Sequence, residues 1–406
     1  MKYRARTLEA AFARASAQFP AVLVTGPRQV GKTSLLRHLA SGDRTYVTLD
    51  DPLVRDLAKR EPALFLQRFK LPIIIDEIQY APELLPLIKM SIDQDRRPGQ
   101  FWLTGSQQFQ VMKGVAESLA GRVAVLQLAG FTRRELLGKA QALPFVPSEE
   151  LLRQAGQEES VGLDALYQQI WRGTLPGLHS ALDVDRDLFL SSYVQTYLQR
   201  DIRDLANIGN ELAFLRFLKA TAARTGQLLN LADLSRDSDI SQVTAKHWLS
   251  ILVASGLVYL LAPWHSNLTK RLVKTPKLYF LDTGLATWLT SWTSPATLEA
   301  GAMAGAILET WVVSELVRGW WHAGKEAPLY FYRDKDQKEI DVLIHLDGKL
   351  YPLEIKKSAQ PGADSTKSFS AASNLGEGRG AGAVLCLTPN WLPFTQQDFL
   401  VGVGLI

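Results

Sequence analysis

Along the first 135 residues, short apolar runs alternate with stretches of helical periodicity, the order that a parallel α/β sheet requires. The pattern predicts strands at Ala21–Thr25, Thr45–Leu49, Pro72–Ile75, Gln100–Leu103 and Val123–Leu128. Several are continuous apolar runs, which fits strands covered on both faces. Gln141–Gly162 interrupts the pattern, with Pro144, Pro147, Gly156 and Gly162 set among Gln and Glu, and reads as a linker or irregular excursion. Further on, three helices (Leu212–Arg224, Leu229–Arg236, Gln242–Leu252) precede two strands (Leu257–Leu261, Lys277–Leu281), with Ser241 as the cap of the third helix. This is winged helix-turn-helix order. Its third helix would turn Gln242, Lys246 and His247 outward and Val243, Trp248, Leu249 and Leu252 into the core. Lys338–Lys356 reads as a β-hairpin with Asp347-Gly348 at its turn.

Composition narrows the class. A chain of 406 residues has room for about two to three domains. Hydrophobic residues at 47% and charged residues at 21% exclude wholesale disorder. The lone Cys386 excludes an internal disulfide, points to a reducing compartment, and in its apolar run reads as an inert buried thiol. No apolar run approaches the roughly 18 residues of a membrane span. No apolar h-region follows MKYRARTLEAAF, so a cytoplasmic location without a membrane is expected. A net charge of +4, from 45 basic and 41 acidic residues, does not announce nucleic acid by itself.

The first strand runs straight into Gly26-Pro27-Arg28-Gln29-Val30-Gly31-Lys32-Thr33, and a helix over Ser34–Leu39 follows. This is GxxxxGKT in strand–loop–helix context, a phosphate-binding loop for ATP with Mg²⁺. Its glycines let successive N–H groups surround phosphate oxygens, and the helix N-terminus adds favourable partial charge. Lys32 would reach the β- and γ-phosphates, and the Thr33 hydroxyl would bind Mg²⁺. The plain alternative is a glycine turn with a surface lysine. The third strand ends in Asp76-Glu77. Asp76 is the natural Mg²⁺ partner of Thr33, and Glu77 would polarise the attacking water; an acidic helix cap is the other reading. Thr104 and Ser106, at the end of the fourth strand, are candidates to hold that water.

The succession GPRQVGKT, IIIDEIQYAPELL, LTGSQQ and SLAGR resembles a prokaryotic AAA-type ATPase of the deep additional-strand group of P-loop NTPases. The resemblance implies a sheet with the phosphate-loop strand between the fourth and fifth strands, and ATP at a subunit interface completed by an arginine from the neighbour. Arg122, in Ser118-Leu119-Ala120-Gly121-Arg122, matches that arginine, with a salt bridge to Glu117 or Asp76 as the alternative. No helical lid with a second sensor arginine follows the fifth strand, which departs from fuller AAA members. Trp171-Arg172-Gly173-Thr174-Leu175-Pro176-Gly177, the helix around Tyr193–Ile202 and Ala222–Asn230 resemble the uncharacterised domain that follows this ATPase in many bacterial and archaeal proteins. The pair Arg200-Asp201 reads as an internal salt bridge or a subunit contact.

Between the two strands of the winged-helix segment, Lys270, Arg271, Lys274 and Lys277 form a local basic wing suited to phosphates, with Lys246 on the third helix beside it. Solvated cations or a protein-binding surface would leave the same trace. In the hairpin, a two-residue turn sets Asp341 directly opposite Glu354 with Cβ atoms about 5 Å apart. Lys356 shares their face, and Ile340, Val342, Ile344, Leu353 and Ile355 form a core stripe on the other. Two carboxylates beside a lysine suit a divalent cation that activates water. The set resembles the PD-(D/E)xK nuclease core, with Glu309 as a further acid; the alternative is a cross-strand salt bridge with Lys356 opposite Glu339. Trp311, Trp320 and Trp321 read as core.

The expected architecture is therefore α/β: a P-loop parallel-sheet ATPase domain over 1–140, a linker and helical connection over 141–210, a winged-helix domain over 211–290, and a restriction-endonuclease-like α/β domain over 291–406. The leading expectation is a Mg²⁺-dependent ATPase that acts on DNA as a ring or other homo-oligomer, with a hexamer as the default, moving on or remodelling a duplex or branched substrate. The alternatives are an ATP-gated nuclease and a nucleotide-controlled regulatory switch.

Overall fold

Five parallel strands, β1 (Ala21–Thr25), β2 (Thr45–Thr48), β3 (Ile73–Asp76), β4 (Phe101–Gly105) and β5 (Val123–Gln127), form the N-terminal sheet in the order β2-β3-β4-β1-β5. The computed structural model describes residues 3–40, 42, 44–105, 115, 117–140, 143–148, 161–180, 182–197, 211–265, 275–334, 336 and 338–406. Every residue of β1, β3 and β4 is buried, as their continuous apolar runs require. β1 lies between β4 and β5, the position that the resemblance implied. Successive residues serve opposite faces. Val22, Val24 and Trp102 meet Leu8 and Phe12 of α1 (Leu8–Gln18) and Leu35 of α2 (Lys32–Leu39). Leu23, Ile73, Ile75 and Leu103 meet α3 (Pro52–Arg60), α4 (Pro62–Arg68) and α5 (Leu84–Gln94) through Ala58, Phe65 and Ile88.

α6 (Arg133–Leu136), α7 (Leu163–Arg172) and α8 (Arg186–Tyr197) lead on from the sheet. The next unit is α9 (Glu211–Ala222), β6 (Gln227–Leu228), α10 (Leu231–Ser238), α11 (Gln242–Ala254), β7 (Val258–Leu261) and β8 (Lys277–Phe280), with a small antiparallel sheet ordered β6-β8-β7. β6 has two exposed residues and no apolar signature, so periodicity did not reveal it. Asn230 caps α10, and Ser241 caps α11 by accepting the Thr244 N–H at 3.0 Å. Trp248 packs edge-on against Phe214 and Phe217 with ring centroids 5.1 and 5.6 Å apart, which sets the rotation of α11. Leu249 and Leu252 are buried with it, but Val243 is 81% exposed rather than core. It lies five residues before Trp248, about 140° round the helix.

α12 (Thr283–Leu289), α13 (Pro295–Ala300) and the long α14 (Ala304–His322) precede the C-terminal sheet. That sheet runs β14-β15-β13-β11-β10-β9, where β9 is Leu329–Arg333, β10 Glu339–Leu346, β11 Lys349–Ile355, β13 Gly382–Cys386, β14 Trp391–Pro393 and β15 Asp398–Gly402; β12 (Gly378–Arg379) adds to β11. The β10–β11 register pairs Val342 with Leu353 and Leu346 with Lys349. Asp347 (φ 50°) and Gly348 (φ 69°) make the expected two-residue turn. A register shift against β9 between Ile340 and Leu343 corrects the single core stripe. Ile340 packs with Leu343 and Leu350 in one cluster, while Val342, Ile344, Leu353 and Ile355 join the main core on the other face. Trp311 and Trp320 are buried, Trp321 is half-buried beside Tyr259, and the Cys386 thiol is buried with its pKa raised by that burial.

One core joins these parts, running from Leu8 to Ile406. Within it, Trp171–Gly177 forms a joint. Asp282 caps α12 through the Leu285 N–H at 2.7 Å, and its other oxygen accepts the Thr174 N–H at 2.7 Å and hydroxyl at 2.6 Å. Gly284 passes so close to the Arg172-Gly173 backbone that a Cβ would lie 2.5 Å from the Arg172 carbonyl oxygen. A second joint is the buried carboxylate of Glu135, which accepts from Arg6 Nε at 3.1 Å and His322 Nδ1 at 3.0 Å. Burial favours the neutral acid of Glu135, but His322 and Arg6 outweigh it and hold its pKa well below the usual carboxylate range. Burial lowers the pKa of His322.

Gly284→Ala should destabilise the protein by about 2 kcal/mol through overpacking, read as a lower urea midpoint. Gly305→Ala in α14, where a Cβ meets nothing within 4 Å, should gain about 0.5–1 kcal/mol. With both folded-state pKa values depressed, the folded protein binds fewer protons than the unfolded chain as pH falls. Stability should therefore decline as pH drops below the model-compound His value of 6.5, and further below the carboxylate value of 4.5. Urea midpoints from pH 8 to pH 4 check this, with His322→Gln flattening the upper part of the slope.

Candidate nucleotide site and C-terminal ion cluster

The loop after β1 is shaped by its glycines. Gly26 has φ +145°, and a Cβ there would lie 1.8 Å from the Leu128 carbonyl oxygen. Gly31 (φ +95°) sits in the left-handed region just before α2. Lys32 is buried, its ammonium donating to the Gly26 carbonyl at 3.0 Å and the Pro27 carbonyl at 2.8 Å. The Thr33 hydroxyl donates to Asp76 Oδ1 at 2.8 Å. Asp76, at the end of β3, also accepts from Thr104 Oγ1 at 2.5 Å and from the Tyr46 hydroxyl at 3.0 Å. Thr104 Oγ1 in turn accepts the Glu77 N–H at 2.9 Å. Glu77 has a left-handed backbone (φ 60°), and its side chain accepts from Gln79. Burial, then the Asp76 carboxylate, push the Tyr46 phenol up to about 12. Arg28 Nη2 lies 3.4 Å from the Tyr80 hydroxyl.

These residues fit ATP with Mg²⁺. A hydroxyl and a carboxylate already in contact supply the hard oxygen donors that Mg²⁺ takes alongside phosphate and water. Lys32 rests on loop carbonyls within reach of the space before α2. Beside the loop lies a cleft of about 690 Å³ lined by Tyr3, Arg6, Gly31, Ser34, His38, Phe131 and His179, with the Tyr3 and His38 rings stacked at 3.8 Å. Tyr46, Tyr3, Phe131 and His179 were missed in the sequence because no motif joins them; only folding brings them to the loop. Ser106 lies outside the described residues, as do Arg200 and Asp201.

Residues 18–137 match the AAA domain family, and residues 163–296 and 304–405 match two domains of unknown function (DUF8612 and DUF4143). An uncharacterized protein of Mycobacterium tuberculosis is 31% identical over 358 residues, covering 88% of this chain and 74% of the relative. Its counterpart in Mycobacterium bovis shows the same figures. The chain belongs to their family. Among solved structures, a Walker-type ATPase of Pyrococcus abyssi is similar at 15% identity, covering 70% of this chain and 94% of that one, with a TM-score of 0.42. The RuvB Holliday junction branch migration motor of Thermotoga maritima matches at 19% identity over 62% and 85% of the two chains, with a TM-score of 0.28. The loop, Asp76 and Glu77 all fall inside the residues that match the AAA domain family.

Arg122 is engaged by neither Glu117 nor Asp76. Its guanidinium forms a fork with Asp93 in the last turn of α5, Nε to Oδ1 at 2.6 Å and Nη2 to Oδ2 at 3.0 Å. In the basic wing, Lys270, Arg271 and Lys274 lie outside the described residues. Lys246 is exposed on α11.

Lys277 requires a correction. Rather than standing on the wing, its side chain is only 6% exposed and points into the C-terminal sheet domain. The ammonium lies 2.6 Å from Glu339 Oε1, 3.1 Å from Glu309 Oε1 and 4.0 Å from Asp341 Oδ1. The reason is register: Lys277 and Tyr279 alternate onto the face of β8 that meets α14, and the Tyr279 hydroxyl also donates to Glu309 at 2.6 Å. Burial alone would lower the Lys277 pKa, but Glu309, Asp341 and Glu339 outweigh it and the pKa is raised. Burial, with Glu309 and Glu354, raises that of Asp341. Lys356 pairs with Glu354 at 2.6 Å rather than with Glu339. The expected carboxylates are thus together, with the Lys277 ammonium among them. Among the described residues no group of three or more His, Cys, Asp or Glu is arranged to hold a metal ion.

Lys277→Met would leave these acids clustered without their cation and should cost about 3 kcal/mol at pH 8. Carboxylate protonation should recover part of that loss near pH 5, an effect that urea unfolding of wild type and variant at both pH values measures.

Proposed function

We propose that this protein is a Mg²⁺-dependent ATPase that acts on DNA as a homo-oligomer in the cytoplasm. The observation that carries the reading is the 2.8 Å contact between Thr33 and Asp76 at the mouth of the glycine-shaped loop. It supports the reading because the two side chains that would donate to Mg²⁺ already touch, next to the lysine and N–H groups that would cradle phosphates. Bound Mg²⁺ would neutralise charge developing on the transferred phosphoryl group. Lys32 leaves its loop carbonyls for the β- and γ-phosphates. Thr104 holds Asp76 in place and anchors the backbone of Glu77, whose carboxylate orients and deprotonates the attacking water, with Ser106 as a further candidate to hold that water. The cleft between Tyr3, His38 and Phe131 receives the nucleoside.

Support for DNA is local. The order of α9, β6, α10, α11, β7 and β8, with its β6-β8-β7 sheet, supports reading this unit as a winged helix. Its third helix exposes Gln242, Lys246 and His247, and the connection between β7 and β8 carries Lys270, Arg271 and Lys274. In an assembled ring, with a hexamer as the default, Arg122 would leave Asp93 to meet the γ-phosphate of the neighbouring subunit. Asp341, Glu354, Glu309 and Lys356 contribute no step, because Lys277 already neutralises the position a cleaving metal would need.

Lys32→Ala should abolish ATP turnover. Glu77→Gln should keep ATP binding and slow turnover by about 100-fold or more. Branched, duplex or single-stranded DNA should raise the wild-type rate, and Lys246→Glu should weaken that stimulation severalfold while reducing its salt dependence. A rate unchanged by all three DNA forms would remove DNA from the reading.

A further inference from the structure

We infer that Arg6 is a positioning residue for the phosphate loop, and that Glu135 and His322 carry its anchorage into the C-terminal domain. This rests on the ATPase reading and adds residues outside the loop motif. Arg6 lies on the N-terminal segment, 4% exposed, and spends every nitrogen on backbone or carboxylate. Nη1 donates to the Val30 carbonyl at 2.9 Å. Nη2 donates to the carbonyls of Ala129 at 2.7 Å and Gly130 at 3.2 Å, and Nε to Glu135 at 3.1 Å. The guanidinium therefore staples the last residue before Gly31 to the chain just beyond β5.

The contact with Val30 has a direct consequence. In a trans peptide the carbonyl and the following N–H point in opposite directions. Fixing the Val30 carbonyl on Arg6 turns the Gly31 N–H away from the guanidinium, to the side of the loop where phosphate oxygens would bind. Gly31 is left-handed and has no side chain to hold that orientation. Arg6 supplies the constraint from outside.

Arg6 is in turn held by elements from the far end of the chain. Glu135 accepts Arg6 Nε and the Thr132 N–H on one oxygen, and the Thr7 N–H and His322 Nδ1 on the other. His322, the last residue of α14, accepts the Ala129 N–H on Nε2 at 3.1 Å. The Ala129 peptide unit is thus pinned by α14 through its N–H, and the Ala129 carbonyl is held by Arg6. Side chains of Glu135 and His322 are wholly buried. A buried charge network of this kind is an expensive way to add stability alone, and its directed bonds end on the loop.

The full-length protein tests this through steady-state ATP turnover and binding of a fluorescent ATP analogue. Groups that position phosphate equally in ground and transition states change KM and leave kcat. His322→Leu and Arg6→Lys should each raise KM and the analogue Kd about five- to tenfold, with kcat within about twofold of wild type. His322→Gln, whose amide can accept from Ala129 and donate to Glu135, should restore wild-type KM. Glu135→Gln, which keeps the shape of the carboxylate, provides the same readout if His322→Leu does not fold. A fall in kcat that follows the folded fraction, with KM and Kd unchanged in these variants, would overturn the inference. A wild-type protein that neither binds nor hydrolyses ATP would overturn it together with the ATPase reading; wild-type binding that the variants retain in full would overturn the inference alone.

Discussion

A charge taken out of water must find partners, and in this chain those partners come from remote segments. Asp76 is met by Thr33, Thr104 and Tyr46; Glu135 by Arg6 and His322; Asp282 by Thr174; Lys277 by Glu309 and Glu339. Each of these residues is buried on a different element, and each satisfies itself by pulling another element into place. The AAA domain, the helical middle and the C-terminal sheet share one apolar core, which supplies the driving force. The buried polar contacts specify how the parts meet, because an apolar contact tolerates a shift that a hydrogen bond does not.

The phosphate loop illustrates the consequence. Its front faces the cleft, while its back is bounded by Gly256 at the end of α11, where a Cβ would come within 3.0 Å of Pro27. Its base is fastened by Arg6 to the end of β5. A loop held on two sides by different units cannot change its path without disturbing either the unit that contains α11 or the C-terminal helix.

Much of the candidate nucleotide site could be read in advance because its chemistry is written in consecutive residues. Gly26 to Thr33 and Asp76-Glu77 each declare a local need: left-handed backbone, a helix start, a carboxylate at a strand end. The hairpin register was equally readable, since Asp347-Gly348 permits a two-residue turn and alternation then pairs Val342 with Leu353. Val243 and Ile340 went astray for reasons local pattern does not carry. The rotation of α11 is set by an aromatic cluster with α9, and the face of Ile340 by a register shift against β9.

Lys277 marks the boundary most sharply. In one dimension it is the last of four cations and belongs to a basic wing; in three it is the counter-ion of acids contributed by α14 and β10. Charge along a chain records composition, whereas the field at a site depends on distance, and Glu309 is 32 residues away in the chain but 3.1 Å away in space. The same holds for Arg6 and His322, which carry no motif and meet through Glu135 and the Ala129 backbone. Turns, caps, strand runs and the phosphate loop follow from bonds between neighbours, so they could be read from residue order. Pairings among buried charges follow from which elements the shared core brings together, and those needed the folded chain.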